Sequence, residues 1–182
     1  TSSQKLPKEI GYKKILKQLQ KNAHYKELAG RLLALPDLKP NEGKKEDPAH
    51  PAIYPTGEVS HAKSYDAKIY DLIVKRFFAT FAEPATRETM EIVIDVNKEL
   101  FITKGSRTIK KGWHEFYEPY VKLEEQTLPK VQKGEPVKVK ELLMHDKETQ
   151  PSKRYTPASI IKELERRNLG TKATRSAIVD TL

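Results

Sequence analysis

A histidine framed by prolines is the first feature of this sequence that could do chemistry. His50 lies in the nonapeptide A-H-P-A-I-Y-P-T-G, Ala49–Gly57, directly after Pro48. Pro51 and Pro55 cannot continue a helix, and each favours an extended conformation for the residue before it. The segment is therefore expected to hold an imidazole at a fixed place, where it can donate a hydrogen bond to a phosphate. A proline-rich connector with a solvated histidine is the alternative interpretation.

A second group of polar side chains follows Gly170, where the sequence predicts the start of a helix. This group consists of Thr171, Lys172, Thr174 and Arg175. Free backbone N–H groups, the positive end of the helix dipole, hydroxyls and two cations together form a phosphate site. Thr174 could equally serve as a helix N-cap, and the sequence alone does not separate the two roles.

Both groups lie in segments that resemble the type IA DNA topoisomerases. The His50 segment is similar to the A-H-x-A-I-x-P-T/S motif of that family. The stretch Arg154–Arg175 is similar to R-Y/F-T/S-x-A-S-L/I-I/V-K-x-L-E followed by G-I/L-G-x-x-A/S-T-R/Y. The two motifs occur in the order found in the family and at a plausible separation, so the resemblance covers the whole chain in outline.

The resemblance implies where the catalytic nucleophile lies and which residues contact DNA. In this family the nucleophilic tyrosine occurs in S-Y-x-R-T, and Thr1-Ser2-Ser3 resembles the tail of that motif. We therefore expect the tyrosine just upstream of Thr1, in a larger parent enzyme of which this chain is a fragment. His50 would support catalysis through a contact with the phosphate at the cleavage site. The implied DNA-binding residues are Thr1, Ser2, His50, Lys172, Thr174 and Arg175.

The resemblance also implies the fold, the reaction and the partners of the parent. Its members are toroidal monomers that relax negatively supercoiled DNA without ATP, by single-strand cleavage through a 5′-phosphotyrosine, strand passage and religation. A Toprim domain, absent here, supplies acidic residues that bind Mg²⁺, so no cofactor is expected in this fragment. We expect single-stranded DNA as the partner, no membrane association, and a cytoplasmic, nucleoid-associated location. The isolated fragment should be inactive and bind single-stranded DNA weakly.

The sequence departs from the bacterial pattern at two points, and two other function classes remain as alternatives. Tyr54 stands where many bacterial members have arginine, and Thr171-Lys172 replaces a bacterial R-P pair, which is closer to topoisomerase III and archaeal members. Topoisomerase I, topoisomerase III and reverse gyrase all remain possible parents. A non-enzymatic nucleic-acid-binding module that uses a helix–turn–helix is the alternative function, and a protein-interaction scaffold is a third.

Composition limits the classes of site that the chain can contain. Its 182 residues include no cysteine, which excludes disulfides and thiolate zinc sites within it. No apolar run approaches the length of a membrane span. The net charge of +9 is uneven: residues 1–34 carry +6, residues 151–182 carry +4 and the middle carries −1. Basic ends fit phosphate contacts, although lysine-rich helix faces can also simply be solvated.

Apolar residues that recur every three to four positions predict three helices before residue 83. The second ends before Pro36, a loop follows to Pro48, and Ser64 can cap the third, over about 65–82. Lysines cover the other faces of the first helix. The apolar faces are Tyr12, Ile15, Leu16 and Leu19; Tyr25, Leu28, Ala29, Leu32 and Leu33; and Ile69, Leu72, Ile73, Phe77 and Phe81, widened by Tyr70, Val74 and Phe78. We interpret the aromatic stripe of the third helix as core rather than as a base-stacking platform.

After Glu83-Pro84 the period changes to two, which predicts strands. Met90, Ile92, Ile94 and Val96 form the inward side of one strand, and Asn97-Lys98 a turn into the next. An aromatic cluster, Trp113, Phe116 and Tyr117, follows. A further strand is predicted after Gly134-Glu135-Pro136, with Val137 and Val139 on one face, so that residues 84–150 would form a small antiparallel sheet. His114 and His145 have no spaced partners for a metal.

The last segment has a helix–turn–helix outline. Thr156 is a natural N-cap, Pro157 fits the first helical position, and Gly170 is expected to stop the helix before a second one begins near Thr174. The predicted class is therefore α+β. We expect a helical remainder of the tyrosine domain at 1–82, a β-rich arch segment at 83–153 and the start of a DNA-binding base domain at 154–182.

Overall fold

The structure, a computed structural model, describes residues 3–47, 50–58 and 64–181, with only the backbone of Ser64 and Tyr65. The chain divides into two units, Ser2–Lys130 and Val131–Leu182. The predicted α+β class is confirmed. The described part holds six α-helices, a short 3₁₀ helix and a two-stranded antiparallel sheet.

The first unit is built around three helices and a short fourth one. A 3₁₀ turn, Lys8–Ile10, precedes α1 (Tyr12–Leu19); α2 spans Lys26–Leu33, α3 spans Ser64–Phe81, and α4 spans Trp113–Tyr117. The three predicted helices are thus confirmed to within a residue or two at most ends. The N-cap role expected for Ser64 concerns a side chain outside the described part of the chain.

The helices bury one continuous apolar core. Its largest fully buried side chains are Leu16 of α1, Leu32 of α2, and Val74 and Phe78 of α3. Eight further buried residues complete it: Ile15, Leu19, Tyr25, Ala29, Leu38, Phe77, Phe81 and Phe116. The aromatic stripe of α3 therefore packs as core, as predicted. Ile69 departs from the prediction and is 44% exposed, since the buried part of α3 lies in its second half.

In the described residues, the sheet of this unit consists of one hairpin. Strand β1, Thr86–Val96, pairs antiparallel with β2, Glu99–Lys110, with Val93 opposite Ile102. Asn97 and Lys98 both have positive φ, as a two-residue hairpin turn of the primed type requires. The backbone N–H of Lys98 also donates to Asp95 Oδ1 at 2.8 Å. The predicted strand and its turn are confirmed.

The larger sheet predicted over residues 84–150 is wrong. Beyond the hairpin, only an isolated bridge between Ser106 and Gln126 extends it within the described residues. Gly134 lies in a turn, and Val137 and Val139 are 49% and 52% exposed. An alternating pattern forms a stable strand only where a neighbouring strand pairs with it and a core covers one of its faces. This segment has neither a paired strand nor a covered face. The aromatic cluster is also split, because Phe116 turns into the core while the Trp113 and Tyr117 rings lie 6.0 Å apart.

The second unit holds two short helices, α5 (Pro157–Arg166) and α6 (Arg175–Asp180). Thr156 caps α5: its hydroxyl accepts from the Ser159 N–H at 3.2 Å, and the Ser159 side chain accepts in return from the Thr156 N–H. The expected cap and the proline at the first turn are therefore confirmed. The expected end at Gly170 is wrong, because α5 stops at Arg166 and Asn168 already adopts a left-handed conformation, before Gly170 does.

Candidate functional site

Residues 50–58, the described part of the segment that carries His50, contain no helix or strand, as the prolines predicted. The His50 side chain is 61% exposed. Its backbone N–H donates to the Asp47 carbonyl at 3.1 Å, and its ring Nδ1 lies 3.1 Å from Asp47 Oδ2. These two contacts place the imidazole against a carboxylate that is itself mostly covered, while the rest of the ring faces solvent.

The Asp47 contact determines what the His50 ring can do. A carboxylate at Nδ1 favours a proton on that nitrogen. In the neutral ring, Nε2 would then be a hydrogen-bond acceptor. Nε2 can donate to a phosphate oxygen only when the imidazole carries both protons. The arrangement suits recognition of an anion by an imidazolium.

The first described residues lie directly beside His50. The Ser3 N–H donates to the His50 carbonyl at 2.5 Å, and the Ala52 N–H donates to the Lys5 carbonyl at 3.4 Å. Ser3 is buried. Two stretches that are almost fifty residues apart in sequence are therefore neighbours in the fold. Thr1 and Ser2, which were predicted to contact DNA, lie outside the described residues.

The loop before His50 holds the same N-terminal stretch from its other side. The Gln4 N–H donates to the Lys45 carbonyl at 2.9 Å, and the Leu6 N–H donates to Glu42 Oε2 at 3.0 Å. Lys5 Nζ lies 2.8 Å from Glu46 Oε2. The hydrogen bond that Lys5 donates to that carboxylate, together with the negative charge of the carboxylate, raises the pKa of Lys5.

A groove runs beside this junction within the first unit. Its volume is about 750 Å³, and its lining combines the N-terminal stretch and the His50 segment with α3 and α4. Ser3, Gln4, Ile53, Arg76 and Trp113 are among the lining residues. Ala52 and Ile53, which follow His50 closely in the chain, therefore line a concave surface rather than a flat one.

In the second unit, the structure brings Lys172, Thr174 and Arg175 into one turn. The Thr171 carbonyl accepts from the Arg175 N–H at 3.1 Å, and the Thr174 hydroxyl accepts from the Thr171 N–H at 2.9 Å. Thr174 has helical backbone angles and makes no side-chain cap bond to α6. The N-cap alternative for Thr174 is therefore not supported by its geometry.

The two cations of this turn are placed differently. Arg175 Nε donates to the Leu169 carbonyl at 3.0 Å, which leaves its two terminal nitrogens for another acceptor. Lys172 is exposed in the same turn. Near the end of α5, hydrogen bonds from Arg166 and Arg167 lower the pKa of Glu163 to about 2. The Glu163 carboxylate is therefore already paired with two arginines, Arg166 of α5 and Arg167 directly after it.

Sequence reasoning missed Asp47 as the partner of His50. The available signal was its position three residues before His50, at the end of the loop predicted up to Pro48. The described residues contain no group of three or more His, Asp or Glu side chains arranged to hold a metal ion. Within the same residues, none of the helices combines the length and the apolar character needed to cross a bilayer.

Comparison with known proteins gives a consistent result. A family model described as DNA topoisomerase matches residues 1–182. The chain is 50% identical to DNA topoisomerase 1 of Pyrococcus furiosus, over all of this chain and 18% of that protein. It is 50% identical to DNA topoisomerase 1 of Pyrococcus horikoshii, over all of this chain and 27% of that protein.

A more distant relative is DNA topoisomerase 3-alpha of Mus musculus, which is 28% identical over the whole chain and 18% of its own length. The chain thus spans between about a sixth and a little over a quarter of these relatives.

Proposed function

Because the chain belongs to the DNA topoisomerase family, we propose that it works as part of a type IA enzyme that relaxes negatively supercoiled DNA without ATP. A tyrosine oxygen attacks a backbone phosphorus and forms a 5′-phosphotyrosine, while the bond to the 3′ oxygen breaks and leaves a free 3′-hydroxyl. The reverse attack by that hydroxyl reseals the strand after passage. The covalent intermediate stores the energy of the broken bond, so no ATP is needed.

The hydrogen bond between Ser3 and His50 is the observation that carries this proposal. The resemblance assigns Thr1-Ser2-Ser3 to the tail of the tyrosine motif and His50 to the phosphate contact. Those two assignments were made from separate parts of the sequence, and they require the two parts to be close in space. The 2.5 Å bond from Ser3 N to His50 O supports that requirement.

We assign His50 the role of a phosphate ligand during cleavage. When the ring held by Asp47 carries both protons, it donates Nε2–H to a non-bridging oxygen of the phosphate under attack. The attacked phosphorus gathers negative charge on those oxygens, and a fixed cation stabilises that charge without having to reorganise. Asp47 acts as a positioning residue, since it contacts Nδ1 and holds the ring.

The turn of the second unit serves the bound strand. Lys172 and Arg175 supply positive charge for backbone phosphates, and the Thr174 hydroxyl supplies a hydrogen bond. Thr1 and Ser2 would make the corresponding contacts near the tyrosine. The division into a tyrosine-domain remainder at 1–82, an arch segment at 83–153 and a base segment from 154 onward belongs to the same proposal, as does a monomeric, nucleoid-associated parent.

Magnesium does not fit the described residues, since they offer no cluster of carboxylates for it. In the proposal, Mg²⁺ belongs to a Toprim domain elsewhere in the parent, and no step assigned to this chain passes through it. The isolated 182-residue chain is accordingly expected to have no cleavage activity and only weak affinity for single-stranded DNA.

A plasmid-relaxation assay tests the proposal. The full-length parent should relax negatively supercoiled plasmid with Mg²⁺ and without ATP, while the isolated chain should not. A requirement for ATP, or relaxation by the isolated chain, would contradict it. A parent that binds DNA but never changes its linking number would instead support the non-enzymatic nucleic-acid-binding module.

A further inference from the structure

Helix α1 has two chemically distinct faces. Ile15, Leu16 and Leu19 are buried in the core. Four lysines lie on the opposite side, all of them exposed. At about 100° per residue, they fall within a quarter to a third of the helix circumference. We call this set the basic stripe; its members are Lys13, Lys14, Lys17 and Lys21, the last just beyond the end of α1.

The charge of the basic stripe is not balanced locally. Residues 11–25 contain no Asp or Glu, and the ion pairs formed among the described residues include none of the four lysines. The hairpin behaves differently: there Lys104 and Arg107 pair with Glu91 and Glu88, across from them, at 2.7 and 2.6 Å. Lysines that follow one another at i and i+4 also repel and disfavour the helix. A bound polyanion would relieve that repulsion.

The basic stripe borders the segment that carries the candidate active-site histidine. A groove of about 510 Å³ is lined by Lys14, Gln18 and Lys21 of the α1 region and by Tyr54 and Thr56 of the His50 segment, among others. Glu58 is the one acid at this groove. The stripe thus leads along the surface of the first unit to the proline-framed segment.

We propose that the basic stripe binds successive phosphates of a DNA backbone, as a contact surface separate from His50 and from the turn of the second unit. Lysines four residues apart on a helix are spaced about 6 Å along its axis, which is comparable to the distance between neighbouring phosphates on a strand. The four charges would therefore hold a strand along the outer face of α1. The proposal rests on the proposed function in that DNA is the partner.

Salt-dependent binding of the whole 182-residue chain tests the basic stripe. The test variant replaces all four lysines by glutamine (K13Q/K14Q/K17Q/K21Q). A matched control loses the same charge from four exposed lysines of the same unit that have no ion pair among the described residues, K39Q/K98Q/K122Q/K130Q. Fluorescent oligonucleotides, one single-stranded and one duplex, are titrated at several salt concentrations, and circular dichroism checks the helices of each variant.

Each phosphate contact contributes about 0.7 to the slope of log K against log salt for a single strand and about 0.9 for a duplex. If all four lysines bind, the stripe variant should lower the magnitude of that slope by about 3 on a single strand, and the control should change it little. The form of DNA that the stripe holds is the one for which the loss of slope, divided by about 0.7 for a single strand or about 0.9 for a duplex, corresponds to more phosphate contacts. Equal losses in the two variants, or no binding of either probe by the wild-type chain, would overturn the proposal.

Failure of the stripe and failure of the proposed function give different results. If the stripe is wrong while the function is right, the full-length parent relaxes plasmid and the two variants bind oligonucleotides alike. If the function is wrong, the parent forms no cleaved intermediate whatever the stripe variant does. Weakened binding confined to the stripe variant, in a parent that still cleaves at saturating concentration, is the result expected when both are right.

Discussion

Replacing His50 by alanine in the full-length enzyme should slow DNA cleavage without harming the fold. The side chain is 61% exposed and contacts Asp47 alone among side chains within hydrogen-bonding distance in the described part of the chain. Its loss should therefore change the free energy of unfolding by no more than about 0.5 kcal/mol. A hydrogen bond to a charged group contributes about 1.5–3 kcal/mol. If that bond forms mainly in the transition state, cleavage should slow by about ten- to a hundred-fold.

Single-turnover cleavage of a short oligonucleotide at saturating enzyme measures this effect, beside a thermal melt of the same variant. His24→Ala is the matched control, because its ring is also exposed, at 66%, and also lies near a carboxylate, 3.2 Å from Asp71 Oδ1. The control should cleave at the wild-type rate. Wild-type cleavage and affinity in His50→Ala, with an unchanged melt, would make His50 a solvated bystander of its proline-rich connector. A loss of DNA affinity at an unchanged rate would place the contact in the ground state.

Three further predictions follow from single contacts. Asp47→Asn removes the charge beside the His50 ring, and since an exposed ion pair contributes about 0.2–1 kcal/mol, single-turnover cleavage should slow by up to about fivefold; a rate equal to that of the wild type would argue against the positioning role. Phe78→Ala empties a fully buried position and should cost about 3–5 kcal/mol in urea denaturation, and a cost below 1 kcal/mol would contradict the packing of the core. Burial, with the hydrogen bond to Asp71, raises the pKa of Tyr120 to about 12. The protonated form of Tyr120 should therefore stabilise the fold fully below the ordinary tyrosine pKa of about 10, and this contribution should disappear as pH rises through 12. Ultraviolet absorbance, compared with that of Tyr120→Phe, measures the pH at which Tyr120 ionises.

Much of the first unit could be predicted from sequence because its signals are local. The apolar period of α1 to α3 fixes both the helix type and the buried face, and Asn97-Lys98 is short and polar enough to mark a hairpin turn. The prediction failed where a pattern needed a distant partner. Val137 and Val139 alternate as a strand would, but within the described residues no neighbouring strand pairs with them, and they stay exposed outside any strand.

The candidate site divides in the same way. The proline frame around His50 and the cluster at Thr171–Arg175 could be recognised from residue types and spacing. The hydrogen bond between Ser3 and the His50 carbonyl could not, because it joins backbone groups whose approach depends on the whole path of the loop between them. The end of α5 was predicted too late because the sequence analysis considered only Gly170 as a stop. Asn168, two residues earlier, can also adopt the left-handed conformation that ends a helix.

Trapping the covalent intermediate tests the central claim most directly. Full-length enzyme is reacted with a suicide oligonucleotide labelled at either its 5′ or its 3′ end, and the protein–DNA adduct is digested and sequenced by mass spectrometry. The account predicts that the protein retains the 3′ label only, as a 5′-phosphotyrosine requires. It also predicts that the modified tyrosine lies in the peptide that runs into Thr1-Ser2-Ser3. Retention of the 5′ label, or modification of any of the eight tyrosines within this chain, would contradict it.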